Sequence, residues 1–252
     1  MIVHASESQH WYTREGEPCY QIKGKNGEFR DTTLRDARKL GLVPSVTTIS
    51  KCAASPGLQM WQQQQVLMAA LTLPRYPGEK DDDYSRRIIH DSKEQARKAA
   101  EKGTAIHAAI QGFYEGELVP EGMLGFVTCA VEAVRDISQP SRWTAERAFA
   151  HTSGFGGKVD LCSDSCVIDF KSKEFDDPTK KFAYDEHCMQ LAAYRHGLGM
   201  PEARCANVFV STLKPGLAVS HEWEESDLKR GWEMFRCLLG YWKAKNKFDP
   251  SW

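Results

Sequence analysis

The sequence predicts a mixed α/β fold of the α+β type, in which a central, mostly antiparallel or mixed sheet is flanked by helices and preceded by a helical region. Two observations indicate this class. Apolar residues recur at helical spacing between residues 56 and 136. Short alternating stretches separated by turn residues follow between residues 142 and 223. Helices followed by strands are typical of a sheet core with a separate helical region.

Each element is predicted from its periodicity and from the residues that start or stop it. The predicted strands cover residues 20–23, 143–150, 156–162, 166–171, 207–212 and 218–223. The predicted helices run from 56 to a break at Pro74 and over about 84–114, 123–136, 185–196 and 226–245. Ser226 is the expected N-cap of the last helix. The pattern leaves open whether the helix over 84–114 is interrupted.

Length and charge limit the classes of protein. The chain has 252 residues, with 33 Lys and Arg against 34 Asp and Glu, so its net charge is −1. A strongly basic surface is excluded, and a nucleic-acid partner must meet a local basic patch. We expect one domain over residues 1–252, made of N-terminal strands (1–50), a helical region (56–136) and a core sheet with a C-terminal helix (142–252).

The sequence gives no sign of a membrane partner. The longest apolar stretch, near residues 66–73, falls far short of the ~20 residues that a membrane-spanning helix needs. The first twenty residues hold no signal-peptide core. The eight cysteines include no Cys-x-x-Cys pair, which disfavours a zinc ribbon. We therefore expect a cytoplasmic protein with reduced thiols.

The segment 156–171 is the most informative part of the chain for chemistry. A turn at Asp164 and Ser165 would make it a hairpin and place Asp160 directly opposite Asp169, about 5 Å apart at Cβ. Like charges at that separation are destabilising. Such a pair usually indicates a bound cation or a shared proton.

Lys171 shares the face of Asp169, since side chains two apart on a strand point the same way. Carboxylate oxygens suit Mg²⁺, with Mn²⁺ as a substitute. A lysine beside such a metal can orient a water or offset charge on a phosphate. The alternative interpretation is a cross-strand salt-bridge ladder on a solvated face.

Further candidates lie before and after the hairpin. Glu146 falls in the preceding strand, and His107 falls in a predicted helix. Gln190 and Tyr194 are four residues apart on one helix face. Each has a plainer alternative: a surface glutamate, a core or boundary histidine, and a pair on the helix surface.

Taken in order, these segments resemble the motifs of the PD-(D/E)XK nuclease superfamily, specifically its RecB-like branch. That family has a helical His, a Glu, Gly-x-x-Asp, Asp/Glu-x-Lys and Gln-x-x-x-Tyr. This chain has residues 103–107, Glu146, 157–160, 169–171 and 190–194 in the same order. Residues 44–49, Pro-Ser-Val-Thr-Thr-Ile, are also similar to a segment of phage-type exonucleases and of the mitochondrial genome maintenance exonuclease group.

The resemblance implies a restriction-endonuclease-like core and a set of metal ligands. The implied ligands are the side chains of His107, Asp160 and Asp169 and the backbone carbonyl of Phe170. Lys171 is implied to position or activate the attacking water. Glu146 is implied to contact the metal or its waters.

The resemblance also implies residues that bind substrate. Gln190 and Tyr194 would support the site or the scissile phosphate, and Ser45, Thr47 and Thr48 would hold backbone phosphates. The alternative for these three hydroxyls is a strand-to-turn connection that faces water.

One feature departs from some RecB-like relatives, which carry an iron–sulfur cluster on one cysteine before the motifs and three after them. Here Cys205 and Cys237 follow the Gln-Tyr helix and Cys188 lies within it. Because no close cysteine pair follows the motifs, we expect no iron–sulfur cluster.

The function implied is a Mg²⁺-dependent DNA exonuclease, phage-encoded and active in the host cytoplasm. It would hydrolyse phosphodiester bonds at DNA ends or on single-stranded DNA during replication, recombination or repair. Two alternatives stay open: a structure-specific DNA endonuclease, and a non-enzymatic DNA-binding protein on a degenerate nuclease fold.

Overall fold

A five-stranded mixed sheet lies at the centre of an α+β fold. The structure is a computed structural model that describes residues 10–53 and 56–252. In chain order its elements are β1 (Trp11–Tyr12), β2 (Gln21–Lys23), β3 (Phe29–Asp31), α1 (Leu34–Leu40), β4 (Val43–Pro44), α2 (Val46–Ser50), α3 (Pro56–Thr72), α4 (Asp81–Glu115), a 3₁₀ turn (Glu121–Met123), α5 (Leu124–Ile137), β5 (Thr144–His151), β6 (Phe155–Cys162), β7 (Cys166–Lys173), α6 (Asp185–Gly197), β8 (Arg204–Ser211), β9 (Ala218–Glu222) and α7 (Glu225–Asn246).

The described residues divide into two units. The larger holds the residues up to Ala53 and those from Ala109 onward, and the smaller holds the residues between them. In the smaller unit, α3 and α4 are joined by the hydroxyl of Tyr84, which donates to the carbonyls of Ala70 at 3.2 Å and Leu73 at 3.0 Å. The expectation of one domain over the whole chain stays a prediction.

The central sheet has the strand order β5-β6-β7-β8-β9. The pairs β5–β6, β6–β7 and β8–β9 are antiparallel, and β7–β8 is parallel. Parallel neighbours need a long crossover, and α6 provides it. The prediction of a mostly antiparallel, mixed sheet flanked by helices is confirmed.

Helices cover the sheet and bury its strands. α6 packs against β6, β7 and β8, α7 packs on α6, and α5 packs on β8 and β9. Val167 and Ile168 of β7 are adjacent and both fully buried. Since neighbouring side chains on a strand point to opposite faces, the sheet is covered on both sides there. Asp169, the next residue of β7, therefore lies in a protected environment.

The start of α7 differs from the sequence prediction, and the continuity of α4 answers a question that the sequence left open. Ser226 does not cap the last helix: Glu224 occupies the N-cap position and makes no side-chain cap hydrogen bond, so Ser226 lies inside the first turn. The helix α4 is uninterrupted, because its 35 residues include no proline and isolated glycines cost only about 1 kcal/mol each. Even so, no helix in the described part of the chain combines the length and apolar character needed to cross a membrane.

Candidate active site

The β6–β7 hairpin carries the two aspartates that the sequence places opposite each other. Leu161 pairs with Ile168, which confirms the predicted register. The next position along each strand brings Asp160 across from Asp169. Asp169 is only 2% exposed, and Asp160 is half-buried. A salt-bridge ladder on a solvated face is therefore the wrong description of this pair.

The surroundings of Asp160 disfavour its ionised form. Burial and then the charge of Asp169 raise the pKa of Asp160 well above its ordinary value, although Lys171 acts in the opposite direction. The amide of Phe170 donates to Oδ2 of Asp160 at 2.8 Å and also favours the ionised form. Two facing carboxylates in this state attract a further cation.

Lys171 joins the strand to the helix that covers it. Its Nζ donates to Oδ1 of Asp169 at 2.9 Å and to Oε1 of Gln190 at 3.0 Å. Gln190 in turn donates from Nε2 to the hydroxyl of Tyr194 at 2.8 Å. The amine is thus held by two acceptors, and the interpretation of Gln190 and Tyr194 as a surface pair is wrong.

Tyr194 is buried under the sheet and stays a neutral phenol. Burial, followed by the charges of Asp169 and Asp160, raises its pKa well above the ordinary value. Gly157 permits the close approach of α6, because a Cβ there would lie 3.0 Å from the Tyr194 ring and 2.9 Å from that of Phe149. The Gly-x-x-Asp segment therefore has a packing role as well as supplying the aspartate.

Asn207 is a site residue that the sequence reasoning missed. In the parallel β7–β8 pair it lies beside Asp169, and its Nδ2 donates to Oδ2 of Asp169 at 2.8 Å. Trp223 fixes the amide by donating from Nε1 to Oδ1 of Asn207 at 2.8 Å. The available signal was an asparagine flanked by the apolar residues Ala206 and Val208. Such a residue needs buried partners.

His187 was also missed. It lies in the first turn of α6, three residues before Gln190 and so on the same helix face. Burial, then the charges of Lys171 and Lys173, lowers its pKa to about 3. The imidazole is therefore uncharged at neutral pH and adds no positive charge to the site.

Glu146 lies in β5, opposite Asp160 of the neighbouring strand β6. The register pairs Ala145 with Leu161 and Arg147 with Val159, so the intervening positions face each other. Glu146 has φ of 51°, a left-handed conformation that a residue with a Cβ adopts at a cost.

The Glu146 carboxylate forms an ion pair with Lys158. This contact places Glu146 at the same end of the sheet as the aspartates. A strained non-glycine backbone beside buried acids is a feature that functional sites often retain.

The three hydroxyls proposed to hold phosphates start α2. Ser45 is the N-cap, accepting from the amide of Thr48 at 3.0 Å, and its hydroxyl donates to Oγ1 of Thr48 at 2.8 Å. Both residues are buried, so the interpretation that they face water is wrong. Thr47 is exposed. Phosphate binding by these residues stays a prediction.

His107 lies in α4, as predicted, and is half-buried. It belongs to the smaller unit, so its role as a ligand beside Asp160 and Asp169 stays a prediction. Within the described residues, no group of three His, Cys, Asp or Glu side chains is arranged to hold a metal ion.

The residues present fit a hard divalent cation in their chemistry. Burial and the nearby charge of Asp169 raise the pKa of Asp160, so a cation bound beside the two carboxylates would favour their ionised forms. Carboxylate oxygens are the ligands that Mg²⁺ and Mn²⁺ prefer. Ligation by the Phe170 carbonyl stays a prediction.

Comparison with known proteins adds little. The chain matches no protein-family model and no curated protein. A solved structure described as the crystal structure of SSO0001 has a TM-score of 0.26 and 13% identity, with 73% of this chain and 87% of that chain covered. A TM-score of that size carries no argument about the fold or the function of this protein.

Proposed function

We propose that the protein is a divalent-metal-dependent deoxyribonuclease, an exonuclease that acts on DNA ends or single-stranded DNA. The observation that carries the proposal is the arrangement of Asp160 and Asp169 on facing strands, with Nζ of Lys171 bonded to Asp169. Two acids that can bind a divalent cation and an amine that can offset phosphate charge are groups suited to phosphodiester hydrolysis. We assign the sheet and its helices to a restriction-endonuclease-like core.

The two aspartates bind the cation in this proposal, with the Phe170 carbonyl as a further ligand. When bound, Mg²⁺ or Mn²⁺ offsets the negative charge of the phosphate and lowers the pKa of water. Asp160 must release its proton first, since its raised pKa keeps part of it protonated near neutral pH. Asp160 is therefore fully ionised at neutral pH only when the cation is bound.

Lys171 supplies the positive charge that the protein itself brings to the reaction. A water oxygen attacks phosphorus and forms a new P–O bond, the bond to the leaving oxygen breaks, and the proton that the water loses balances the one that the leaving oxygen takes up. Lys171 Nζ orients the water or offsets charge on the phosphoryl oxygens. Gln190 is a positioning residue, because its Oε1 is a second acceptor that holds Nζ besides Asp169.

The proposed setting is DNA replication, recombination or repair, in a phage-encoded protein that acts in the host cytoplasm. Ser45, Thr47 and Thr48 lie at the start of α2, and Ser45 bridges to Gly156 at the start of β6. This connection joins α2 to the strand that carries Asp160. It supports placing the DNA backbone near α2.

The experiment is digestion of end-labelled oligonucleotides with Mg²⁺, with and without EDTA. Linear single-stranded, linear duplex and closed circular single-stranded DNA are compared. An exonuclease shortens the linear substrates from an end and leaves the circle intact. Cleavage of the circle identifies an endonuclease instead. No cleavage of any substrate, with binding retained, identifies a non-enzymatic DNA-binding protein.

A further inference from the structure

A cavity of about 590 Å³ opens beside the start of β5 in the larger unit. Three aromatic side chains line it, Phe113 and Tyr114 from the end of α4 and Trp143 just before β5. The charged residues Glu115 and Arg142 also line it. Its volume lies within the ~300–1,000 Å³ of typical small-ligand sites.

The three rings form a preformed aromatic wall. The rings of Tyr114 and Trp143 are 6.3 Å apart at 66°, and those of Phe113 and Tyr114 are 5.3 Å apart at 86°. Edge-to-face contacts of this kind leave ring faces available to a further planar group. Phe113 is 38% exposed, so part of this wall is open to solvent.

The charges at the cavity favour a neutral planar ligand over a phosphate. Arg142 and Glu115 carry opposite charges, and the Glu115 carboxylate accepts a hydrogen bond from Gln111 at 2.9 Å. A carboxylate at the wall repels a phosphate. Arg142 is exposed and can meet the backbone of a nucleic acid whose base lies inside.

The cavity and the candidate active site share the strand β5. Ala145 lines it, and the next residue is Glu146, which lies across from Asp160. Trp143 precedes Glu146 by three residues, about 10 Å along an extended strand. A strand that stacks one base on Trp143 would therefore need to extend by about 10 Å, less than two nucleotides, to pass Glu146.

We propose that this aromatic cavity binds one unpaired nucleobase of the DNA strand that is being cleaved. The inference rests on the nuclease function proposed above and specifies its substrate. A base that is stacked in a duplex cannot enter such a cavity without leaving its partner. The cavity thus selects single-stranded or frayed ends, and Trp143 is the principal stacking residue.

Binding measured without cleavage tests the cavity. Fluorescence anisotropy of a labelled single-stranded 12-mer in EDTA gives the affinity of the wild type, of Trp143→Ala and of Trp143→Phe. Alanine is expected to weaken binding by about fivefold or more, and phenylalanine by less, because base–aromatic stacking is lost in the first and kept in the second. Trp252→Ala, at an exposed tryptophan that does not line the cavity, is the matched control.

A second arm uses the wild-type protein and needs no variant to fold. A 12-mer with abasic sites throughout should bind as weakly to the wild type as the normal 12-mer binds to Trp143→Ala. Equal affinity of the wild type for the two 12-mers, or no measurable binding of either, overturns the proposal. Mg²⁺-dependent cleavage without discrimination against abasic DNA refutes this subsite alone. Discrimination without any cleavage supports the subsite and refutes the nuclease.

Discussion

Asn207 donates a hydrogen bond of 2.8 Å from Nδ2 to Oδ2 of Asp169, and its own Oδ1 accepts from Nε1 of Trp223. The buried acid is thus oriented through a neighbouring parallel strand as well as by Lys171 of its own strand. Because both the nitrogen and the oxygen of the Asn207 amide are hydrogen-bonded, the Asp169 carboxylate has little freedom to rotate. The position of Asp169 is therefore set by the sheet.

Replacing Asn207 tests this chain of hydrogen bonds. Asn207→Ala leaves the indole of Trp223 without its acceptor and removes the amide donor of Asp169, which then keeps the donor Lys171 Nζ. We expect a loss of about 1–3 kcal/mol in the free energy of unfolding, measured by urea denaturation. Asn246→Ala, at the end of α7, is the control and should cost less. A wild-type urea midpoint for Asn207→Ala would contradict the proposed orientation.

The stability of the metal-free protein should fall as pH rises. The pKa of Asp160 is raised to about 7 in the folded protein, from an ordinary value of 3.8. The folded state therefore holds this proton more tightly than the unfolded state between about pH 4 and 7, and the stabilisation is lost as pH rises through the folded pKa. Asp160→Asn should melt at a higher temperature than the wild type in EDTA at pH 8, and the gap should shrink towards pH 4.5.

The same hairpin supplies the control for that measurement. Asp164 lies at the exposed turn, so Asp164→Asn should follow the wild type at every pH. If the melting temperatures of the wild type and Asp160→Asn change equally with pH, the pKa of Asp160 is not raised in the folded protein.

Divalent cations should reverse that loss of stability. A ligand that binds only the folded state raises its stability by about 2.7 kcal/mol at 100 times Kd. We expect Mn²⁺ or Mg²⁺ to raise the melting temperature of the wild type more at pH 8 than at pH 6, because the cation must displace the Asp160 proton. Asp160→Asn and Asp169→Asn should lose most of this response. A response equal to that of the wild type in both variants would remove the pair from the metal site.

Substitutions of Glu146 test whether its positive φ costs folding free energy. Its φ of 51° costs a residue with a Cβ about 1–2 kcal/mol, which glycine avoids. Glu146→Gly should therefore be more stable than Glu146→Ala by about 1 kcal/mol in chemical denaturation. At Ala148, where no positive φ occurs, a change to glycine should destabilise instead. Equal stabilities of the two Glu146 variants would mean that the backbone there relaxes freely.

Gln190 should act on turnover more than on substrate binding. Its Oε1 is the second acceptor of Lys171 Nζ. Gln190→Ala is expected to lower kcat by about tenfold with a small change in KM, since an interaction that matters chiefly in the transition state is weakened. Gln190→Glu keeps an acceptor and should retain more activity. A rise in KM with kcat unchanged would make Gln190 a substrate-binding residue instead.

Local patterns predicted the hairpin well. The turn at Asp164 and Ser165 and the alternation along each strand were enough to place Asp160 opposite Asp169, because register follows from turn position and a period of two. The spacing of Gln190 and Tyr194 likewise predicted a shared helix face, and the two side chains are hydrogen-bonded.

Contacts that depend on tertiary pairing were not predictable. Asn207 reaches Asp169 only because β8 pairs in parallel with β7, a partner choice that no local period encodes. The positive φ of Glu146 also has no local signal, since its residue type does not favour it. Ser226 failed as a cap because the preceding Glu224 occupies that position.

The most direct test of the central claim is Mg²⁺-dependent hydrolysis of an end-labelled single-stranded oligonucleotide by the wild type and by the double variant Asp169→Ala, Lys171→Ala. Asp164→Ala, in the same hairpin but at its exposed turn, serves as the control. We predict cleavage by the wild type and the control, loss of cleavage in EDTA, and at least a thousandfold slower cleavage by the double variant, on the order of the effect of removing several catalytic groups. Cleavage by the double variant at the wild-type rate would contradict the account.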